Sequence, residues 1–212
     1  MSGADVILDP LKIEARSFEI IDSEVGSHGY DSRQWPVVRR IIHTTADFDF
    51  AGSTLFASGV IERAMTALRS GAAVYCDTGM VRAGVSKPRL ARFGCSPHCH
   101  IADPDVAAAA RAEGVTRSIM AMRKAIATGC SIFLVGNAPT ALYELLDGAA
   151  AGEVDPALVV GVPVGFVGAA ESKAALEASD LPYITCRGRK GGSAIAAAVL
   201  NALMILAEEE AR

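Results

Sequence analysis

Aromatic side chains are scarce in this chain: 6% of 212 residues, with a single tryptophan, against 51% hydrophobic residues. The apolar content is therefore mainly small and aliphatic, which suits helices packed tightly on a sheet. Long apolar runs are also missing. The most apolar stretch, SAIAAAVLNALMILA (Ser193 to Ala207), is interrupted by Asn201 and is shorter than the roughly 20 residues of a membrane span. It reads as a buried helix, although the mean hydropathy is +0.31. The N-terminal MSGADVILDPLKIEARS lacks a basic start followed by an apolar core, so no secretion signal is expected. The five cysteines, at 76, 95, 99, 130 and 186, form no CxxC pair. That pattern implies reduced thiols and a cytoplasmic setting.

Several catalytic signatures are absent as well. No G-x-G-x-x-G follows a strand-like run, and no G-x-x-x-x-G-K-[ST] occurs, so a nicotinamide oxidoreductase is disfavoured. Gly161, Gly165 and Gly168 have the wrong spacing for the dinucleotide fingerprint. No G-x-S-x-G elbow supports a serine hydrolase. Cys95, His98, Cys99 and His100 lack a second ligand pair nearby and read as strand residues, not as a metal site. His28, in GSHGYD, reads as a loop histidine with no role.

Acidic residues are missing from three windows of a chain whose net charge is −4. The windows are 33–46 (Arg33, Arg39, Arg40), 78–102 (Arg82, Lys87, Arg89, Arg92) and 181–207 (Arg187, Arg189, Lys190). They hold ten of the twenty bases. If the windows converge, they build a positive cavity for an anionic small molecule; if not, they are scattered, solvated cations. Nucleic acid would need a broad basic face instead.

What is present is an alternation of apolar runs and helical segments. AVYCD, HCHIAD, SIFLVG, ALVVGV and PYITC read as buried strands, each followed by a helix or a loop and helix. Asp103–Pro104, Thr116, Asn137 with Pro139, and Ser193 read as helix starts. Ser58 is expected to open a helix closed by Gly71. The expected fold is α/β: one domain over 1–212, a mostly parallel sheet covered by helices on both faces, and a helical N-terminal segment. Trp35, Val38, Ile41 and Ile42 fall on one helical face, with Arg39 and Arg40 on its flank. His43 then stands at that helix's C-terminal end, where the dipole favours a cation. It is either core filler or the proton carrier of an active site.

In parallel sheets ligands bind beyond the carboxyl ends of the strands. GNAPT (136–140), GVPVGFVGAAESK (161–173) and CRGRKGGS (186–193) lie there. Their glycines, free backbone N–H groups and cations suit carboxylates or phosphates.

Together SFEII, VRRIIHTTADFDFA, DTGMVRAGVSKPRL, TRSIMAM, GNAPTALYELL, PALVVGVPVGFVGAAESK and PYITCRGRKGGSAIAAAVLNAL resemble the precorrin-8X methylmutase family, from about Ile7 to Leu206. The resemblance implies an isomerase of cobalamin (vitamin B12) biosynthesis. It would move a methyl group from C-11 to C-12 of a polycarboxylate tetrapyrrole, giving hydrogenobyrinate, with no external cofactor. A sister enzyme takes the cobalt-bearing substrate, and the alternative without chemistry is a tetrapyrrole carrier. The resemblance also implies a cytoplasmic homodimer that retains its product and passes it to the next enzyme, with no nucleic acid, membrane or metal. His43 matches the family's catalytic histidine, and Ser17 its substrate-contacting serine. Arg39 is expected among the substrate-binding bases. Arg82, Lys87, Arg117, Asn137, Arg187, Arg189 and Lys190 lie in matching motifs. Val85 stands close to where some members carry a polar pocket residue.

Overall fold

Short aliphatic runs bounded by turn residues become strands because their alternate side chains can be buried on both faces of a sheet. The computed structural model describes residues 8–211. The stretch MSGADVI, part of the segment expected to carry no secretion signal, lies outside them. Along the chain run α1 (Pro10–Val25), α2 (Gln34–Thr45), α3 (Phe50–Ser53), β1 (Thr54–Phe56), α4 (Val60–Arg69), β2 (Ala73–Cys76), α5 (Gly79–Gly84) and α6 (Lys87–Arg92). They are followed by β3 (Ser96–His98), α7 (Pro104–Glu113), α8 (Arg117–Ala127), β4 (Ile132–Val135), α9 (Pro139–Ala150), β5 (Leu158–Gly161), α10 (Ala169–Glu177), β6 (Tyr183–Cys186) and α11 (Ser193–Glu209).

The strands form one six-stranded sheet in the order β1-β6-β5-β4-β2-β3. All neighbours are parallel except β1, which runs antiparallel along β6. This is the α/β, mostly parallel sheet expected. β1 was not foreseen, because TLF is too short to stand out as an apolar run. The parallel strands follow a doubly wound order, and the winding reverses between β2 and β4.

The central strands divide their side chains between two cores. Val74, Cys76, Ile132, Leu134, Leu158 and Val160 face a core shared with α2, α4 and α11. Tyr75, Phe133, Val135 and Val159 face a second core with residues of α8, α9 and α10. In α2 the buried residues are Val37, Val38, Ile41 and Ile42, so the apolar face is the one expected, widened by Val37.

Four local expectations are corrected. HCHIAD is strand only to His98; the rest turns into α7. Helix α9 has Ala138 at its N-cap, not Asn137. Helix α11 is preceded by Gly192 at the cap, and Ser193 is its first residue. Helix α4 starts behind Gly59, a left-handed glycine, not behind Ser58. At α9 the carboxylate of Asp77, and at α4 a left-handed glycine, stand in for the local cap.

Helix α11 is the SAIAAAVLNALMILA stretch, and eleven of its residues are buried. Its alanines let α2, α5 and the sheet approach closely. Asn201, the polar interruption, accepts from Ser86 N at 2.9 Å and donates to the Gly84 carbonyl at 3.0 Å. Among the described residues no helix is long and apolar enough to cross a membrane. Leu203 on α11 is fully buried. Leu203→Ala should lower unfolding free energy by about 2–5 kcal/mol, read by urea denaturation, because a cavity opens where no neighbour can collapse.

Candidate active site

His43 sits in the last turn of α2, exposed, at the mouth of a cleft of about 450 Å³. The cleft is lined by Glu14, Arg40, Arg89, Ser86 and Asn201, and its floor is the alanine face of α11. The apolar face of α2 turns into the core, so His43 is pushed to the rim. The Phe18 ring meets the imidazole edge-on at 5.3 Å. Among the described residues nothing hydrogen-bonds the His43 ring. Its exposure, not the lack of a bond, sets it apart from a core histidine.

Glu14, on α1, reaches into the cleft and pairs with Arg40 at 2.5 Å. The Arg40 hydrogen bond holds its carboxyl below the ordinary range, helped by the nearby charges of Arg40, His43 and Arg89. A second cleft of about 310 Å³ shares Glu14, Arg40 and Arg89 and adds Arg39 and Phe18. Arg39 pairs with Asp22 at 2.7 Å and lies 4.3 Å over the Phe18 ring. The Ser17 hydroxyl donates to Ile13 O on its own helix at 2.8 Å. His28, expected to have no role, stacks on Trp35 at 3.9 Å and helps seat α2.

The remaining expected residues lie outside the His43 cleft. Arg82 and Lys87 are exposed on the short helices after β2, and Val85 between them is 3% exposed and part of the core. An apolar residue is what that position requires here. Arg117 opens α8, and Asn137 precedes α9; Thr116 and Thr140 join the two helix starts through hydroxyls 3.2 Å apart. Arg187, Arg189 and Lys190 are exposed in the loop between β6 and α11.

The acid-free windows do not make a bare positive cavity, because folding supplies acids from elsewhere. Arg33 meets Glu62 and Glu210, Arg89 and Arg92 meet Glu208, and Arg187 meets Glu177. Lys190 bridges Asp47 and Asp49 at 2.6 Å each. With Arg39 and Arg40, seven of the ten are paired; Arg82, Lys87 and Arg189 make no ion pair among the described residues. The Lys190 bridge has a further effect: it ties the turn after His43 to the basic loop.

The amides of GNAPT are not free either. At the sheet's switch point Asp77, 1% exposed, accepts from Asn137 N at 2.7 Å and Ala138 N at 3.1 Å. It supplies from β2 the cap that α9 lacks locally. Burial pushes its carboxyl above the ordinary range, while these amides pull it back. Beside it Thr78 caps α5 and meets the Ser193 hydroxyl at 3.1 Å, binding the β2 loop to the start of α11. Sequence reasoning missed Asp77 and Glu14, and read Arg89 only as one base of an acid-free window; Asp77 carried a signal, as the single acid closing a buried strand.

An exposed apolar rim borders these loops. Val164, Phe166 and Val167, in the turn after β5, are 47%, 83% and 90% exposed, and Met80 after β2 is 71% exposed. Arg189 lies 5.6 Å over the Phe166 ring. Acidic, basic and flat apolar surfaces thus meet at the carboxyl ends of the strands.

A profile of the precorrin-8X methylmutase family matches residues 12–206. The chain belongs to the precorrin-8X methylmutase family. It is 46% identical to a cobalt-precorrin-8 methylmutase of Priestia megaterium, over 95% of this chain and 90% of the relative. It is 45% identical to the cobalt-precorrin-8 methylmutase of Salmonella typhimurium, over 93% and 96% of the two chains. The precorrin-8X methylmutase of Pseudomonas aeruginosa is 41% identical over 94% of this chain and 97% of its own. The crystal structure of a precorrin-8X methylmutase from Thermus thermophilus superposes with a TM-score of 0.88 at 42% identity, covering 94% and 97% of the two chains.

Asp77→Ala should lower unfolding free energy by about 1–3 kcal/mol, because two backbone N–H groups lose their acceptor in a dry site. Thermal denaturation measures the loss, and an unchanged midpoint would rule out the capping role.

Proposed function

We propose that this methylmutase moves a methyl group from C-11 to C-12 of precorrin-8X, with His43 lending the ring a proton. The observation that carries the reading is the His43 imidazole, held at a cleft mouth with no hydrogen-bond partner among the described residues. A proton donor that must reach a substrate atom cannot be occupied by its own fold. In the proposed step the imidazolium protonates or hydrogen-bonds a ring nitrogen, which draws electrons from the conjugated system. The methyl group shifts within the molecule, and the proton returns to His43. Nothing enters or leaves, so no external cofactor is required.

The exposed apolar and basic rim supports a flat, polyanionic substrate. Its flat ring would lie against Phe166, Val167 and Met80, and its carboxylates would meet Arg82, Lys87 and Arg189, which no acid neutralises among the described residues. Carboxylates could also displace Glu14 from Arg40, or Asp47 and Asp49 from Lys190. Ser17, Arg39, Arg117, Asn137 and Arg187 complete the proposed binding set. Pockets for small molecules span about 300–1,000 Å³, and each cleft here lies low in that range. A second copy covering the exposed Val164–Val167 turn would close the site over a macrocycle, which supports a homodimer. With all five cysteines unpaired, we place it in the reducing cytoplasm, passing its tightly held product to the enzyme that consumes it.

The metal content of the substrate admits a second reading. Relatives named for the cobalt substrate are 34–46% identical, and two named for the metal-free substrate are 41% and 38% identical. The two ranges overlap, and assaying both forms decides between them.

His43→Ala should still bind the macrocycle but lose conversion by about 10²- to 10⁴-fold, the usual contribution of general acid–base catalysis. The visible spectrum follows both. Conversion at the parent rate would end the proposal, whereas a parent protein that binds pigment without changing its spectrum would be a carrier. Neutralising Arg187, Arg189 and Lys190 together should weaken binding, and Arg189→Ala alone should account for most of it, about 10- to 100-fold for one charged hydrogen bond. The parent's affinity should fall steeply with salt. Salt-independent affinity would place these bases in solvent.

A further inference from the structure

Lys173 on α10 is 1% exposed. Its Nζ makes no ion pair among the described residues, which is costly for a buried cation. It has instead a carbonyl and a sulfur: Nζ donates to Lys190 O at 2.5 Å and lies 3.6 Å from Cys186 Sγ. The Cys186 thiol donates to the same carbonyl at 3.3 Å. Two donors rooted in the core, one on α10 and one on β6, therefore converge on a single peptide oxygen of the basic loop.

That peptide unit faces two ways. Its carbonyl is drawn inward to Lys173, while the Lys190 side chain runs outward to Asp47 and Asp49. The next residue, Gly191, is pressed against the exit of β5: a Cβ there would lie 2.2 Å from Val162 O. Gly192 N donates to Val162 O at 2.8 Å, and Gly165 N donates to Arg189 O at 3.2 Å. The loop that presents Arg187, Arg189 and Lys190 thus has inward-facing backbone and outward-facing charge. Packing alone does not call for a cation at 173; a methionine would fill the same space without a desolvation cost.

We propose that Lys173 is a positioning residue whose buried ammonium, through the Lys190 carbonyl, holds the 186–193 loop in the shape that receives the substrate's carboxylates. The receiving part of this inference rests on the functional reading above; the holding part does not.

Lys173→Met separates the two. Trypsin cleaves after arginine and lysine, so nicking at Arg187, Arg189 and Lys190 reads the loop directly. In the variant, nicking there should rise about ten-fold relative to cleavage at Arg16, and affinity for hydrogenobyrinate, titrated by absorbance, should fall about ten-fold or more, as expected for one charge-assisted hydrogen bond. KM should rise more than kcat falls. A residue that only supports the core would lower the melting temperature without favouring the loop sites or splitting KM from kcat. Unchanged nicking at the loop overturns the proposal whatever the ligand does. Increased nicking with unchanged affinity keeps the holding role and overturns the assignment of the loop to the macrocycle. Should Lys173→Met not fold, hydrogen exchange of the parent decides: the bonded amides of Arg187 and Gly192 should be protected, and exchange there at the rate of an open loop would overturn the proposal.

Discussion

The burial of α11 is the constraint on which the site depends. A helix of alanine and aliphatic residues can be enclosed by the sheet, α2, α4 and α5 at once, because small side chains let backbones come close. Its first turns floor the His43 cleft, and Asn201 clasps the 84–86 turn that forms one wall. Its N-terminus abuts Thr78 and ends the basic loop. Three segments far apart in the chain are brought to one edge by one buried rod.

Charge is handled by the same geometry. Windows without acids in the sequence acquire acids when the chain folds, as Lys190 does from Asp47 and Asp49 and Arg40 from Glu14. Exposed pairs of this kind contribute little stability, about 0–1 kcal/mol each. Their effect is on arrangement: they hold long side chains ready near a rim that an anionic ligand can claim. Inside the fold the costs are larger, and Asp77 and Lys173 are each matched to backbone groups of a site loop. Buried charges here act as fasteners of loops.

Much of the fold was readable before any coordinates. Strand runs such as SIFLVG stood out because fully buried strands are continuously apolar, and Thr116 and Asp103–Pro104 marked helix starts correctly. Asn137, Ser193 and Ser58 misled as caps, since a neighbouring strand or a left-handed glycine can replace a local cap. The three-residue β1 was invisible, because an edge strand beside β6 needs only backbone pairing. Arg82, Arg189 and His43 were legible as exposed groups; the pairing of Glu14 with Arg40 beside Arg89 was not, because nothing local links an acid on α1 to bases on α2 and α6.

The sequence by itself determined the α/β class, the alternation of strand and helix, the family, and the identity of the lone histidine at the end of α2. These follow from local pattern and motif, which need no knowledge of distant neighbours. Only the tertiary structure decided which cations keep a carboxylate, which amides are already bonded, and that a buried lysine stands behind the basic loop. Pairing and desolvation depend on distances between residues remote in the chain, and those exist only once the sheet has set its strand order.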